Sequence, residues 1–120
     1  VAVRAIRGAT QVSADDRDEV LSATRELVTE VMERNALTSA DLISILFTAT
    51  PDLVSEFPAL AARELGLGDV PLMCATEIAV PHALPRVLRL MAHVETPRER
   101  TDISHVYLRG AVALRRDIAQ

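Results

Sequence analysis

Aromatic residues are nearly missing from this 120-residue chain, which has two Phe, one Tyr and no Trp, so Val, Leu, Ile, Ala and Met must fill the interior. An apolar fraction of 49% nevertheless excludes disorder. A single cysteine, Cys74, excludes an internal disulfide and suits a reducing compartment. Three histidines without ligand-like spacing add no structural zinc set, so no metal is expected. Lysine is missing too: all thirteen basic residues are Arg, a compositional bias that leaves each arginine to be judged by position. The formal charge of -4 argues against a nucleic-acid partner, because phosphate-binding domains carry a basic field. No apolar run approaches a membrane span, and VAVRAIRGATQV alternates like a strand rather than resembling a signal peptide; no membrane partner and a cytoplasmic location are expected. No Pro, Gly or Ser stretch marks a linker, so residues 1–120 are expected to form one domain with a charged, mobile C-terminal tail at 116–120. A domain of this size buries roughly two-thirds of its unfolded surface and keeps apolar area for partner subunits.

Periodicity sketches the elements. Val1 to Val12 alternates as a strand, with Val1, Val3, Ala5, Arg7 and Ala9 on one face. Arg7 thus lies on the more apolar face, where a guanidinium needs an anion. Ser13 followed by Asp15 and Asp16 predicts a helix N-cap at Ser13. The helix carries Val20, Leu21, Thr24, Leu27, Val28, Val31 and Met32 at helical spacing and stops at Asn35. Leu42 to Ala49 (LISILFTA) reads as a central strand buried on both faces. Pro58 starts a short helix that carries Arg63 and ends at Gly66, with Phe57 just ahead of it. Val70 to Ala75 is a third strand, and Pro81 and Pro85 bracket a turn. Arg86 to Thr96 alternates again, with Val87, Arg89, Met91 and His93 on one face. HVYL and AVALR read as strand pieces around Gly110. The class is α+β, a mixed β-sheet packed with one long and one short helix.

Arg7 and Arg89 on apolar strand faces, together with Arg63 and the sole tyrosine, Tyr107, suggest a pocket for a small carboxylate-bearing molecule. Spacing alone makes this a weak signal, since scattered arginines are usually solvated or paired. Cys74 lacks a recognisable histidine partner and reads as a small buried hydrophobe rather than a nucleophile. Glu77 alone reads as a cap or an arginine partner, and His82, His93 and His105 as surface or packing residues.

A set of literal motifs is more specific. IRGAT (Ile6 to Thr10), ATPDL (Ala49 to Leu53), FPA (Phe57 to Ala59), AAREL (Ala61 to Leu65), VPLMCATE (Val70 to Glu77), RVLRLMAHV (Arg86 to Val94) and HVYL (His105 to Leu108) run in one order and end in AVALR (Ala111 to Arg115). In this the chain resembles the monofunctional chorismate mutases of the trimeric pseudo-α/β-barrel class. The resemblance implies a homotrimer with clefts between chains and the conversion of chorismate to prephenate in the shikimate route to Phe and Tyr, without cofactor or metal. It implies that Arg7 and Tyr107 bind substrate carboxylate, that Arg89 reaches the breaking ether oxygen, and that Glu77 accepts a hydrogen bond from the ring hydroxyl. Cys74 would adjoin that hydroxyl, with Met73, Ala75 and Thr76 beside it. Phe57, Ala59 and Arg63 would line or support the cleft, partly from the neighbouring subunit, and Leu114 and Arg115 would close it. Leu60 stands where relatives can carry lysine, and Met73 where they carry a small polar residue. Other readings are a non-catalytic trimeric carboxylate-binding module, an imine hydrolase of a related trimeric fold, and a purely structural subunit; Glu77 and Arg89 together favour the mutase.

Overall fold

The alternation of the first segment becomes strand β1 (Ala2–Gln11), which ends where Val12 turns toward the first helix. The structure, a computed structural model, describes residues 1–115, so the expected mobile tail at 116–120 lies outside the described residues. Helix α1 (Arg17–Arg34) follows and stops at Asn35, as its polar side chain and the loss of periodicity predict. Its N-cap is Asp16, not Ser13: the Asp16 carboxylate accepts from the Glu19 N–H at 3.0 Å, while Ser13 donates its N–H and hydroxyl to the Glu19 carboxylate. A carboxylate caps as well as a hydroxyl, and the Glu19 carboxylate ties back to Ser13 while the Asp16 N–H bonds the Ala14 carbonyl.

Strand β2 (Leu42–Ala49) has the expected bounds, and β3 (Leu72–Thr76), β4 (Val87–Thr96) and the short β5 (Val106–Tyr107) complete a five-stranded sheet in the order β3-β2-β4-β1-β5. β4 pairs antiparallel with both β1 and β2, and the outer pairs β2–β3 and β1–β5 are parallel. Helix α2 (Pro58–Ala62) begins at its proline and runs into a wider helical turn over Arg63–Leu67, closed where Gly66 takes φ 89°. Gly66 fits because that region strains any residue with a Cβ.

The core lies between α1, α2 and one face of the sheet. Ile6, Leu90, Val94, Ile45 and Phe47 meet Leu27, Val28 and Val31 there. Each fully buried aliphatic side chain contributes about 1.5–3 kcal/mol. Gly8 lets α1 lie close to β1: a Cβ at that position would stand 3.1 Å from Leu27 Cδ1 and 3.3 Å from Val31 Cγ2.

Among the described residues no α-helix lies over the other face of the sheet, which corrects two expectations. β2 is buried on one face only, Leu46 being 37% exposed. Arg7 lies on the uncovered face of β1, beside Val3, which is 59% exposed, because the apolar alternation that marks this face is not matched by a second layer among the described residues. The C-terminal segment covers one corner of it. There Ala9 packs with Tyr107, Ala111 and Leu114. AVALR is not a strand: Arg109–Leu114 is a 3-10 turn. Arg109 at φ 52° redirects the chain after the Leu108 N–H bonds the Ala9 carbonyl, and a short apolar run carries no period to distinguish the two.

Candidate active site

β4 places Arg89 on the uncovered face, flanked across the sheet by Ala9 of β1 and Thr48 of β2. Glu77 follows the end of β3, where its N–H bonds the Ala49 carbonyl at 2.9 Å. The two side chains meet. Arg89 Nε donates to both Glu77 oxygens, at 3.2 Å and 3.0 Å, and the Thr48 hydroxyl donates to Glu77 Oε2 at 2.7 Å. With its Nε–H engaged, the guanidinium keeps its two terminal nitrogens for another acceptor.

A cleft of about 290 Å³ opens beside Arg89 and is lined by Arg7, Leu46, Thr48, Met91, Tyr107 and Arg115. Among the described residues the Arg7 guanidinium has no hydrogen-bonded or ion-paired partner. Its backbone N–H donates to His105 Nδ1 at 3.0 Å, two residues ahead of Tyr107. Nδ1 is therefore unprotonated in this arrangement. Partial burial, and then the positive charges of Arg7 and Arg115, hold the His105 imidazole below the ordinary histidine range. Leu114 packs on Tyr107 and Ala9, just ahead of Arg115.

A second cleft of about 370 Å³ gathers four more of the expected residues: Phe57, Cys74, Ala75 and Thr76 line it with Leu53 and Glu56. Phe57 is 66% exposed at its rim. The Phe57 N–H and the Arg17 guanidinium, helped by the charge of Arg63, hold the Glu56 carboxyl below its ordinary value. The two clefts share no lining residue: Arg7, Arg89, Tyr107 and Arg115 line the first, with Glu77 bonded to Arg89, while Phe57, Cys74 and Thr76 line the second. Ala59 is a residue of α2 buried in the core, Arg63 is exposed at the end of α2, and Met73 projects from the uncovered face.

Three contributors were not singled out by sequence. Thr48 was one letter in an apolar strand, and its pairing opposite Arg89 is a property of sheet register. His105 read as a packing residue but accepts the Arg7 amide. Asn35 does more than end α1: buried, it bonds both the carbonyl and the N–H of Ser104, fixing the approach to β5.

Among the described residues no helix is long and apolar enough to cross a membrane. The family model for chorismate mutase type I matches residues 3–118. The chain is 47% identical over 119 residues to chorismate mutase AroH of Thermus thermophilus, covering 97% of this chain and 96% of the relative. It is 41% identical over 118 residues to chorismate mutase AroH of Bacillus subtilis (strain 168), covering 98% and 93%. A solved chorismate mutase from Clostridium thermocellum superposes with a TM-score of 0.91 at 48% identity, over 92% of this chain and 98% of that one. A match over nearly the whole length, on a sheet that sets an arginine–glutamate pair beside a second arginine and a tyrosine, makes the chain a member of the type I chorismate mutase family.

Proposed function

We propose that this chain converts chorismate to prephenate by fixed charge and conformer selection, and that the Arg89–Glu77 pair is the centre of the site. The reaction is pericyclic: one C–O bond breaks as one C–C bond forms, with no obligatory proton transfer and no covalent enzyme intermediate. Negative charge grows on the ether oxygen and positive charge on the ring fragment. The observation that carries the reading is an Arg89 fork already held through Nε by Glu77, with its terminal nitrogens left toward the arginine-lined cleft. A donor fixed in advance costs no reorganisation as the bond stretches. Glu77 places its charge near the ring and accepts from the ring hydroxyl; Cys74, which lines the second cleft, would adjoin that hydroxyl where subunits join the two clefts. Arg7, Tyr107 and Arg115 hold the carboxylates and favour the compact conformer in which the reacting ends meet. No cofactor or metal takes part in this scheme. Local positive charge is needed because a chain of net charge -4 repels a dianion at long range.

The assembly belongs to the same proposal. A homotrimer, with one catalytic domain per chain, would cover the apolar face that carries Val3, Leu46 and Met73, and would join the arginine cleft of one subunit to the Phe57 and Arg63 region of the next. Support comes from that face being apolar yet uncovered, Met73 reaching 66% exposure, and from the division of the expected site into two clefts. A cytoplasmic enzyme feeding aromatic amino-acid synthesis fits the single cysteine.

The test is to incubate the purified chain with chorismate in excess chelator, identify the product by NMR, and measure the mass in solution by sedimentation. Prephenate from a trimer is expected. Chorismate left intact would remove the catalytic reading in favour of a carboxylate-binding module, and full activity from a monomer would remove the shared cleft.

A further inference from the structure

The hydroxyl of Thr48 sits on the carboxylate the mechanism uses most. It donates to Glu77 Oε2 at 2.7 Å, the same oxygen that Arg89 Nε approaches at 3.0 Å. β2 and β4 place Thr48 and Arg89 as direct cross-strand partners, so their side chains leave the same face at adjacent points. Glu77, by contrast, lies just past the end of β3, fixed at its backbone by the Ala49 carbonyl. A glutamate side chain at a strand end has free torsions, and a single partner at one nitrogen does not set the plane of its carboxylate. Two donors arriving from two different strands do.

We propose that Thr48 is a positioning residue: its hydroxyl fixes the plane of the Glu77 carboxylate, which in turn fixes the direction of the Arg89 fork. This rests on the assignment of Arg89 and Glu77 to the reacting atoms. Thr48 lines the arginine cleft, and its hydroxyl proton is directed to Glu77. Its contribution is orientation of charges that act in the transition state, so its loss should lower kcat and kcat/KM together and leave KM nearly unchanged.

Thr48→Val keeps the branched shape that suits a strand and removes the donor; Thr48→Ser keeps the donor and removes a methyl. Turnover of chorismate in Thr48→Val is expected to fall about tenfold, the scale of one hydrogen bond to a charged group. Thr48→Ser should stay close to wild type. In a Glu77→Gln background, Thr48→Val should cost much less, because the group it acts through has changed. A readout independent of activity is the 1H–15N signal of the Arg89 Nε–H, identified by its loss in Arg89→Lys. In Thr48→Val it should shift and exchange faster with solvent. An unmoved signal, or a Thr48→Ser variant as slow as Thr48→Val, overturns the positioning role. A signal that moves while turnover stays at the wild-type level instead overturns the assignment of the pair to the reacting atoms, and the inference falls with it.

Discussion

Arg89→Lys separates charge from geometry at the centre of the site. The native guanidinium does two things at once: Nε–H holds Glu77 at 3.2 Å and 3.0 Å, and the terminal nitrogens stay available to an acceptor in the cleft that Arg89 lines. Lysine ends in one compact ammonium on a flexible stem, which pairs with Glu77 or reaches the ether oxygen but does not reproduce the planar fork. Losing one oriented donor to a developing oxyanion costs about 10²–10³ in rate. Stability should hardly register the change, because the Arg89 side chain is 42% exposed and the Glu77 side chain 16%, and a pair so placed is worth about 0–1 kcal/mol after screening. The assay is chorismate loss followed continuously, with kcat and KM obtained separately, beside urea unfolding of the same preparation. A fall in kcat of about 10²–10³ with an almost unchanged unfolding midpoint is expected. Turnover within about threefold of wild type, under about 1 kcal/mol of barrier, would refute the argument, since the positive charge is retained and only its direction is lost.

Two further changes test the surroundings. Because His105 is held below the ordinary histidine value of about 6.5, the unfolded chain takes up its proton first as pH falls. The stability linked to His105 is therefore full above about pH 6.5 and is lost as pH drops through the lower folded value; His105→Gln should flatten that part of a urea-midpoint profile, and an unchanged profile would count against it. Gly8→Ala puts a methyl 3.1 Å from Leu27 Cδ1, 3.3 Å from Leu90 Cγ and 3.3 Å from Val31 Cγ2, an overpacking that should cost about 1–3 kcal/mol. A urea midpoint equal to wild type would show that α1 yields freely over β1.

Regular elements were legible where a period is long enough to fix its own phase. Ten alternating residues give β1, ten give β4, and the apolar stripe of α1 ends at Asn35 as its spacing requires. Ends and short pieces were not. Ser13 and Asp16 are both competent caps, and Asp16 is the one that accepts the Glu19 N–H, while Ser13 is drawn to the Glu19 carboxylate. AVAL holds too few residues to choose between a strand and a 3-10 turn, and the choice falls to Arg109 at φ 52°. Strand Val70 to Ala75 begins two residues late and runs on to Thr76, because β3 extends only where β2 offers a partner, from Ile45 to Ala49. In the site, Arg7 and Arg89 stood out as charges on apolar faces, but Thr48 and His105 act through register and through a backbone amide. Neither leaves a mark on hydropathy.

The face of β1 that carries Arg7 ties these points together. Its composition reads as core, yet α1 and α2 cover the opposite face, so among the described residues a set of aliphatic side chains and an unpartnered guanidinium share an open surface. Apolar area favours burial against another surface, and a guanidinium disfavours it unless an anion arrives with it. Both demands are met if a second copy covers the aliphatic part while the margin that holds Arg7, Arg89 and Tyr107 stays a cleft that a small dianion fills. On that reasoning assembly and substrate binding are linked: replacing Leu46 by a charged residue should weaken both, whereas Arg7→Ala should weaken binding and leave the assembly whole.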